Sequence, residues 1–314
     1  MRTAERQRVL TDDQFARLRD VRATRPGEIR AALGRRIRRP LLEGDGRLFI
    51  VAADHPARGA LGVGDDAMAM ADRYDLLDRL ALALSRPGVD GVLATPDLID
   101  DLGLLGALDG KIVVGSMNRG GLRGASFELD DRFTAYDVEA MTRDGLDFAK
   151  TLLRLDLDDA GTLRTLEATA RAVDEAARAE LPIMLEPFIS RRRDGRIGNE
   201  LTADAVIRSV AIAAGLGRSS AYTWLKLPVV PEMERVMSAT TLPTLLLGGE
   251  PAGDAEAVYR GWEHALTLPG VRGLVVGRTL LYPGDGDVAT AVDQAAALVH
   301  GPADTDASTT GARS

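Results

Sequence analysis

Cysteine is absent from this chain of 314 residues, and histidine occurs only three times. Without cysteine, disulfide bonds, thiol catalysis and thiolate metal sites are all excluded. A metal-dependent enzyme with several imidazole ligands is also a poor prediction, because His264 falls on a predicted helix and His300 lies near the C-terminal end. We therefore expect neither a metal site nor a cofactor.

Long apolar runs are missing as well. No stretch has the roughly 18 consecutive apolar residues of a membrane span, and no early segment resembles a signal peptide. We expect a cytoplasmic protein that contacts no membrane. The formal net charge of −8 argues against a nucleic-acid partner. A hydrophobic content of 45% in a chain of this length predicts a globular protein with an ample core.

Lysine is the scarce basic residue: Lys and Arg together number 39, yet lysine occurs only at Lys111, Lys150 and Lys226. Lys226 lies near the end of the apolar run 222–230, which reads as a buried strand. A desolvated lysine can lose its proton and attack a carbonyl group, which arginine cannot do. A second interpretation is a lysine at a strand end whose ammonium group reaches solvent.

Residues 1–46 are predicted to be a helical extension. Thr11 and Gln14 form a capping-box pattern, which predicts a helix to about Arg22. A second helix is predicted to end at Arg38. The basic run 35–39 is interpreted as a solvated helix end, with contact to an acidic neighbouring subunit as the alternative.

Eight apolar runs separated by helical patterns follow the extension, at residues 47–54, 89–94, 111–115, 148–155, 181–187, 222–230, 242–249 and 271–278. Continuous apolarity is typical of strands buried on both faces, hence of a parallel sheet. The count and a length of about 250 residues predict one (β/α)₈ TIM barrel, an α/β fold. We assign residues 47–300 to it and 301–314 to a disordered tail. A doubly wound sheet is the alternative, but residues 54–59 lack its glycine-rich fingerprint.

The active site of such a barrel lies at the C-terminal ends of the strands. Lys150, Glu186 and Lys226 come from three successive predicted strands and are therefore expected to converge. Burial and a neighbouring cation would lower the pKa of Lys226, while Glu186 would transfer protons. Asp54, after the first strand, would hold a substrate hydroxyl group or orient a lysine. The alternative is an ion-pair network that only fills the barrel.

A phosphate site is predicted after the last two strands. Gly248 and Gly249 follow the seventh strand, and Gly277 and Arg278 follow the eighth, so backbone N–H groups and a guanidinium meet there. Arg154 is a candidate for binding a terminal carboxylate, the alternative being a salt bridge to Asp156.

These motifs resemble the class I, Schiff-base-forming aldolases of the deoxyribose-phosphate, tagatose-bisphosphate and archaeal-type fructose-bisphosphate group. The residues that carry the resemblance are Asp54-His55, Lys150-Thr-Leu-Leu-Arg154, Leu185-Glu186-Pro187, Trp224-Leu-Lys226-Leu-Pro228, Gly248-Gly249 and Gly277-Arg278. The sequence 53–59, Ala-Asp-His-Pro-Ala-Arg-Gly, is similar to an actinobacterial branch encoded among inositol-catabolism genes.

The resemblance implies a carbon–carbon lyase. Lys226 would be the Schiff-base lysine, and the substrate would be 6-phospho-5-dehydro-2-deoxy-gluconate, cleaved to dihydroxyacetone phosphate and malonate semialdehyde. Pro56 and Ala57 depart from the glycine common in the fructose-bisphosphate branch. His55 is either catalytic or packs in the loop.

Two alternatives remain open at this stage. One is an aldolase for another phosphosugar: fructose or tagatose bisphosphate, deoxyribose phosphate or sulfofructose phosphate. The other is a non-catalytic barrel that binds a sugar phosphate and regulates a partner. In either case we expect a phosphorylated small molecule as ligand and a homo-oligomer.

Overall fold

The computed structural model describes residues 8–118, 121–248 and 255–301. Residues 1–7 of the predicted extension and 302–314 of the predicted tail lie outside the described residues. The described part contains nine β-strands: Leu48–Ala52 (β1), Gly91–Ala94 (β2), Ile112–Ser116 (β3), Phe148–Leu155 (β4), Ile183–Arg193 (β5), Arg196–Asn199 (β6), Thr223–Pro228 (β7), Thr244–Leu247 (β8) and Val271–Val276 (β9).

Eight of these strands close into a parallel barrel. Their order is β4-β3-β2-β1-β9-β8-β7-β5, and pairing between β5 and β4 completes the ring. Each barrel strand overlaps one predicted apolar run, although β5 continues beyond its run to Arg193. The prediction of a (β/α)₈ barrel is therefore confirmed, and the doubly wound alternative is wrong because the ring leaves no open edge. Along the ring, β7, β8 and β9 are barrel strands six, seven and eight.

The barrel interior is filled by alternate residues of the strands. One buried cluster takes side chains of a single parity from every barrel strand, among them Ile50, Phe148, Met184, Trp224 and Leu245. Side chains of the opposite parity belong to the larger cluster that includes the helices. Because successive residues of a strand face opposite sides, the smaller cluster is the inside of the barrel.

The described helices are Asp12–Thr24 (α1), Gly27–Arg35 (α2), Arg73–Ser85 (α3), Pro96–Leu104 (α4), Val138–Arg143 (α5), Gly161–Arg178 (α6), Ala203–Ala214 (α7), Met233–Met237 (α8), Ala255–Leu266 (α9), Arg278–Leu281 (α10) and Val288–His300 (α11). None of the helices in this part of the chain is long and apolar enough to cross a membrane.

Helix α1 begins at the capping box that the sequence predicts. The Thr11 side chain accepts a hydrogen bond from Gln14 N, and the Gln14 side chain accepts one from Thr11 N. Phe15, Leu18 and Val21 are buried on one side of the helix and belong to the main hydrophobic core. The extension thus packs on its own barrel.

The basic run after α2 is a solvated helix end only in part, because Arg35 and Arg38 are exposed whereas Arg36 is not. Helix α2 ends at Arg35, and Arg36 is buried, with a side chain only 4% exposed. Its guanidinium donates to the carbonyl oxygens of Lys111 and Gly145, both at 2.6 Å, and to Asp147 Oδ2 at 2.9 Å. Sequence patterns miss this contact because its acceptors lie about 75 or more residues further along the chain.

A β-hairpin that the sequence analysis did not predict extends the fifth strand. Strand β5 continues past the barrel to Arg193 and pairs antiparallel with β6, with Arg193 opposite Arg196. The two residues of the turn, Asp194 and Gly195, have φ of 49° and 74°. An Asp-Gly pair at such a turn is a strong hairpin signal, so the sequence did contain the information.

We predict that Arg36→Met lowers the free energy of unfolding by about 2 kcal/mol, because the carbonyl groups of Lys111 and Gly145 lose their guanidinium donor and Asp147 keeps only Arg38 and Val113 N. Urea unfolding measures this. Arg35→Met is the matched control: Arg35 is exposed, so its loss should change stability by less than about 0.5 kcal/mol. Equal effects of the two substitutions would contradict the assigned role of Arg36.

Candidate functional site

Four charged residues continue the inward-facing parity of the barrel strands. Lys150 follows Phe148 by two positions, Glu186 follows Met184, and Lys226 follows Trp224, so each side chain lies one layer above an apolar interior residue. Asp54 stands in the same relation to Ala52, at the end of β1. The strand geometry therefore gathers all four at the C-terminal end of the barrel.

The four side chains form a continuous chain of alternating charge. Lys150 Nζ lies 2.8 Å from Asp54 Oδ2 and 2.6 Å from Glu186 Oε2. Glu186 Oε1 lies 2.8 Å from Lys226 Nζ. Lys150 thus bridges two carboxylates, and Glu186 bridges two ammonium groups.

Both carboxylates are held in the ionised form. Burial favours the neutral acid, but Lys150 and then Lys226 outweigh it and lower the pKa of Glu186 to about 2. In the same way, Lys150 overcomes the burial of Asp54 and holds the pKa of that carboxyl well below its usual range. At neutral pH both groups are therefore carboxylates.

The pKa values of the two lysines are shifted in opposite directions. Burial lowers the pKa of Lys226; Glu186 opposes this shift, and the positive charge of Lys150 adds to it. Burial also disfavours the charged form of Lys150, but Asp54 and Glu186 together raise its pKa. Lys226 is therefore the amine that gives up its proton more readily, and Lys150 stays a cation.

Above this chain of charges lies a cavity of about 1130 Å³, which Glu186, Lys226, His55 and Arg278 line. The Lys226 side chain is only 4% exposed, so the alternative of a lysine reaching bulk solvent is wrong. An internal ion-pair network is present, but its Glu186–Lys226 end opens onto a space large enough for a sugar phosphate.

His55 lies beside this network. Its Nδ1 atom is 3.8 Å from Asp54 Oδ1, is buried and has no hydrogen-bond partner among the described residues. Burial lowers the pKa of His55 to about 3, against the opposing charge of Asp54. His55 is thus a neutral imidazole at the cavity wall.

Gly248, Gly277 and Arg278 also line the cavity, at the ends of β8 and β9. A Cβ atom at Gly277 would lie 2.2 Å from the Ala52 carbonyl oxygen, and one at Gly248 would lie 2.5 Å from a methyl group of Val276. Only glycine fits at either position. Gly249, the fourth residue of the predicted phosphate site, lies outside the described residues.

The alternative prediction, a salt bridge between Arg154 and Asp156, is wrong. Arg154 pairs with Glu128 rather than Asp156: its Nη1 donates to Glu128 Oε1 at 2.7 Å, and Nη2 donates to the Glu128 carbonyl oxygen at 3.0 Å. Asp156 instead accepts from Arg192 N at 3.0 Å. Arg154 lines the cavity, as a candidate for substrate binding should.

Sequence analysis missed three charged residues near the site: Arg58, Glu128 and Asp131. Arg58 lies in the sequence 53–59, which carries the resemblance to the inositol-catabolism branch. Glu128 and Asp131 lie in the loop between β3 and α5, where no periodicity marks a functional residue. Asp131 is buried, which raises its pKa to about 6, and its Oδ2 atom has no hydrogen-bond partner among the described residues.

Comparison with known proteins agrees with this architecture. Two solved aldolases share the barrel at 20% identity: a Schiff-base-forming fructose-1,6-bisphosphate aldolase, with a TM-score of 0.61 over 87% of this chain and 100% of that one, and an archaeal fructose 1,6-bisphosphate aldolase, with a TM-score of 0.62 over 87% and 99%. At this identity the likeness concerns the fold alone. A search of the curated proteins found no match.

A much nearer relative is Cgl0159 from Corynebacterium glutamicum. Its crystal structure has 67% sequence identity to this chain and a TM-score of 0.92, and the match covers 94% of this chain and 99% of that one. The family model described as Cgl0159-like matches residues 46–296, which is nearly the whole barrel. The chain therefore belongs to the Cgl0159-like family.

Proposed function

We propose that this protein is a class I aldolase that cleaves a phosphorylated keto sugar through a Schiff base on Lys226. The observation that carries the proposal is the buried Lys226 amine, 2.8 Å from an ionised Glu186 at the floor of an open cavity. A nucleophilic lysine needs a lowered pKa and an adjacent base, and both are present. The Schiff-base chemistry of one solved aldolase with the same fold is consistent with this assignment. The reaction requires no metal ion.

Lys226, and not Lys150, is the nucleophile in this proposal. Lys150 is held by two carboxylates that raise its pKa, and its side chain is 2% exposed. Lys226 has one carboxylate partner and lines the cavity. The role of Lys150 is to keep Glu186 ionised and to repel the proton from Lys226, while Asp54 holds Lys150 in place.

Imine formation follows from the Glu186–Lys226 contact. Glu186 accepts a proton from the Lys226 ammonium group, and the neutral amine attacks the substrate ketone. A proton then moves from nitrogen to oxygen to give the carbinolamine. Glu186 returns its proton to the departing hydroxyl group, which leaves as water, so that a protonated imine remains and Glu186 is again a carboxylate.

The same carboxylate serves the cleavage step. Glu186 removes the proton of the hydroxyl group on the far carbon of the bond to be broken. The oxygen of that group becomes an aldehyde oxygen, and the C–C electron pair moves to the imine to form an enamine. Glu186 then protonates the enamine carbon. Hydrolysis of the resulting imine releases the second product and restores Lys226.

The substrate proposal combines the site with the sequence resemblance. Gly248, Gly277 and Arg278 would bind the phosphate, since all three line the cavity at the ends of β8 and β9 and Arg278 supplies a cation. The resemblance to the inositol-catabolism branch favours 6-phospho-5-dehydro-2-deoxy-gluconate as substrate and dihydroxyacetone phosphate and malonate semialdehyde as products. A panel of phosphosugars separates it from fructose, tagatose, deoxyribose and sulfofructose phosphates.

We predict that borohydride reduction in the presence of dihydroxyacetone phosphate labels Lys226 alone. With only three lysines in the chain, peptide mapping by mass spectrometry assigns the adduct without ambiguity. Lys226→Met should lose the label completely, while the matched control Lys111→Met should retain it, because Lys111 lies just before β3, at the other end of the barrel. A label on Lys150, or one that persists in Lys226→Met, would overturn the assignment.

We predict that Lys150→Met moves the acid limb of the pH–activity profile to higher pH. Removing the Lys150 charge raises the pKa of Lys226, because it ends the repulsion that favours the neutral amine. Activity at pH 7 should fall by on the order of tenfold or more and should recover in part as the pH rises. An acid limb that stays at the same pH or moves to lower pH would show that Lys150 does not control the protonation of Lys226.

A further inference from the structure

His300 is the last residue of helix α11 and lies at the opposite end of the barrel from the cavity. Its two ring nitrogens contact two different carboxylates: Nδ1 lies 2.8 Å from Asp45 Oδ2, and Nε2 lies 3.0 Å from Asp90 Oδ2. Asp45 lies in the turn before β1, and Asp90 directly precedes β2. The imidazole therefore joins the last helix of the barrel to the N-terminal ends of its first two strands.

Only the charged form of this ring donates both hydrogen bonds. A neutral imidazole carries one N–H group, so its second nitrogen presents a lone pair. In this geometry that lone pair would face a carboxylate oxygen at 2.8 or 3.0 Å, and two acceptors repel each other. The imidazolium ion donates from both nitrogens, and each bond joins opposite charges. The positions of the two carboxylates thus select the protonated ring.

Backbone groups hold both carboxylates in place independently of His300. Asp45 Oδ1 accepts a hydrogen bond from Arg47 N at 2.9 Å, which closes the turn before β1. Asp90 Oδ2 accepts one from Phe49 N at 2.7 Å, which joins the entry of β2 to β1. Both acceptors are therefore in position whether or not the ring carries its second proton.

Other charged groups surround this cluster. Arg39, from the N-terminal extension, pairs with Asp90 and with Glu43. Arg47 donates to the carbonyl oxygen of Val299, in the last turn of α11. The remaining charged side chains near this end are Lys111, Arg272, Arg86 and Asp293. Among the described residues, the ring itself pairs only with its two carboxylates.

These surroundings favour the protonated ring. The hydrogen bond to Asp90 raises the pKa of His300, partial burial opposes this shift, and Asp45 adds to it. The C-terminal end of α11 acts in the same direction, because the last carbonyl groups of a helix carry partial negative charge. Since the folded pKa is raised, the two contacts contribute their full stability below the unfolded pKa of about 6.5. That contribution is lost as the pH rises through the folded pKa.

We propose that His300 is a proton-dependent latch: the charged ring holds the last helix of the barrel against the entries of β1 and β2, and loss of a proton weakens this attachment. The contacts join residues that are 255 and 210 positions apart, so the latch ties one end of the barrel sequence to the other. Chain ends fray unless they are tied down. Because the latch lies at the opposite end of the barrel from Lys226, it is independent of the aldolase proposal.

The first test is an NMR titration of the full chain labelled with ¹⁵N-histidine, which reports the protonation of each ring nitrogen. The chain has only three histidines, so His264→Gln and His300→Gln assign the signals by their absence. We expect the midpoint of His300 to lie above the ordinary value of 6.5. A midpoint at or below 6.5 would overturn the proposal.

Asp45→Asn separates the latch from ordinary packing. The asparagine oxygen still accepts from Arg47 N, while its amide nitrogen donates to a ring nitrogen that lacks a proton, so the midpoint of His300 should fall by about one unit. The matched control is Asp285→Asn, because Asp285 accepts from the backbone N–H two residues on, as Asp45 does, but is exposed and does not contact the ring. The midpoint of His300 should stay unchanged in this control.

Urea unfolding measures the consequence for stability. The urea midpoint of the wild type should exceed that of His300→Gln by roughly 0.5 M at pH 6, and the excess should shrink as the pH rises towards 9. His264→Gln is the control: His264 has one exposed partner, Glu234, so its loss should change the urea midpoint little at either pH.

Two further results would overturn the latch. One is an excess of the wild type over His300→Gln that is equal at pH 6 and pH 9, which would show that the ring stabilises the protein by packing alone. The other is an unchanged His300 midpoint in Asp45→Asn. The second result does not require His300→Gln, so the proposal stays testable if that variant folds poorly.

Discussion

The site depends on one physical constraint: four charged side chains can be buried together in the barrel only because positive and negative groups alternate, so that each contacts a group of opposite charge. Asp54, Lys150, Glu186 and Lys226 are joined by three contacts of 2.6–2.8 Å and carry no net charge when all are ionised. An isolated charge in such a place would be strongly disfavoured, whereas a paired one is tolerated. Because Lys226 ends the chain and has a single carboxylate partner, it is the member that loses its proton most readily.

The sequence predicted the parts of this arrangement that depend on short-range periodicity. Runs of apolar residues located all eight barrel strands, and the alternation of side chains within strands placed Lys150, Glu186 and Lys226 on the inner face. The scarcity of lysine drew attention to the right positions. Strand order then follows from the rule that successive parallel strands in a barrel are neighbours, which is why convergence could be expected without coordinates.

Contacts between distant loops were not predictable in this way. The Arg154–Glu128 pair joins β4 to an irregular loop, and Arg36 reaches acceptors about 75 or more residues further along the chain. Neither contact has a periodic signature in the sequence. A run of arginines indicates positive charge but does not show which acceptor each side chain reaches. The hairpin of β5 and β6 is different, because the Asp194-Gly195 pair is a sequence signal for a two-residue hairpin turn and could have predicted it.

The most direct test of the account is a crystal structure of the protein after reduction with borohydride in the presence of dihydroxyacetone phosphate. We expect a covalent bond from Lys226 Nζ to the former carbonyl carbon, Glu186 beside that carbon, and the phosphate against Gly248, Gly277 and Arg278. A structure in which the ligand is bonded to another lysine, or in which Lys226 remains paired with Glu186 and unmodified, would contradict the central claim.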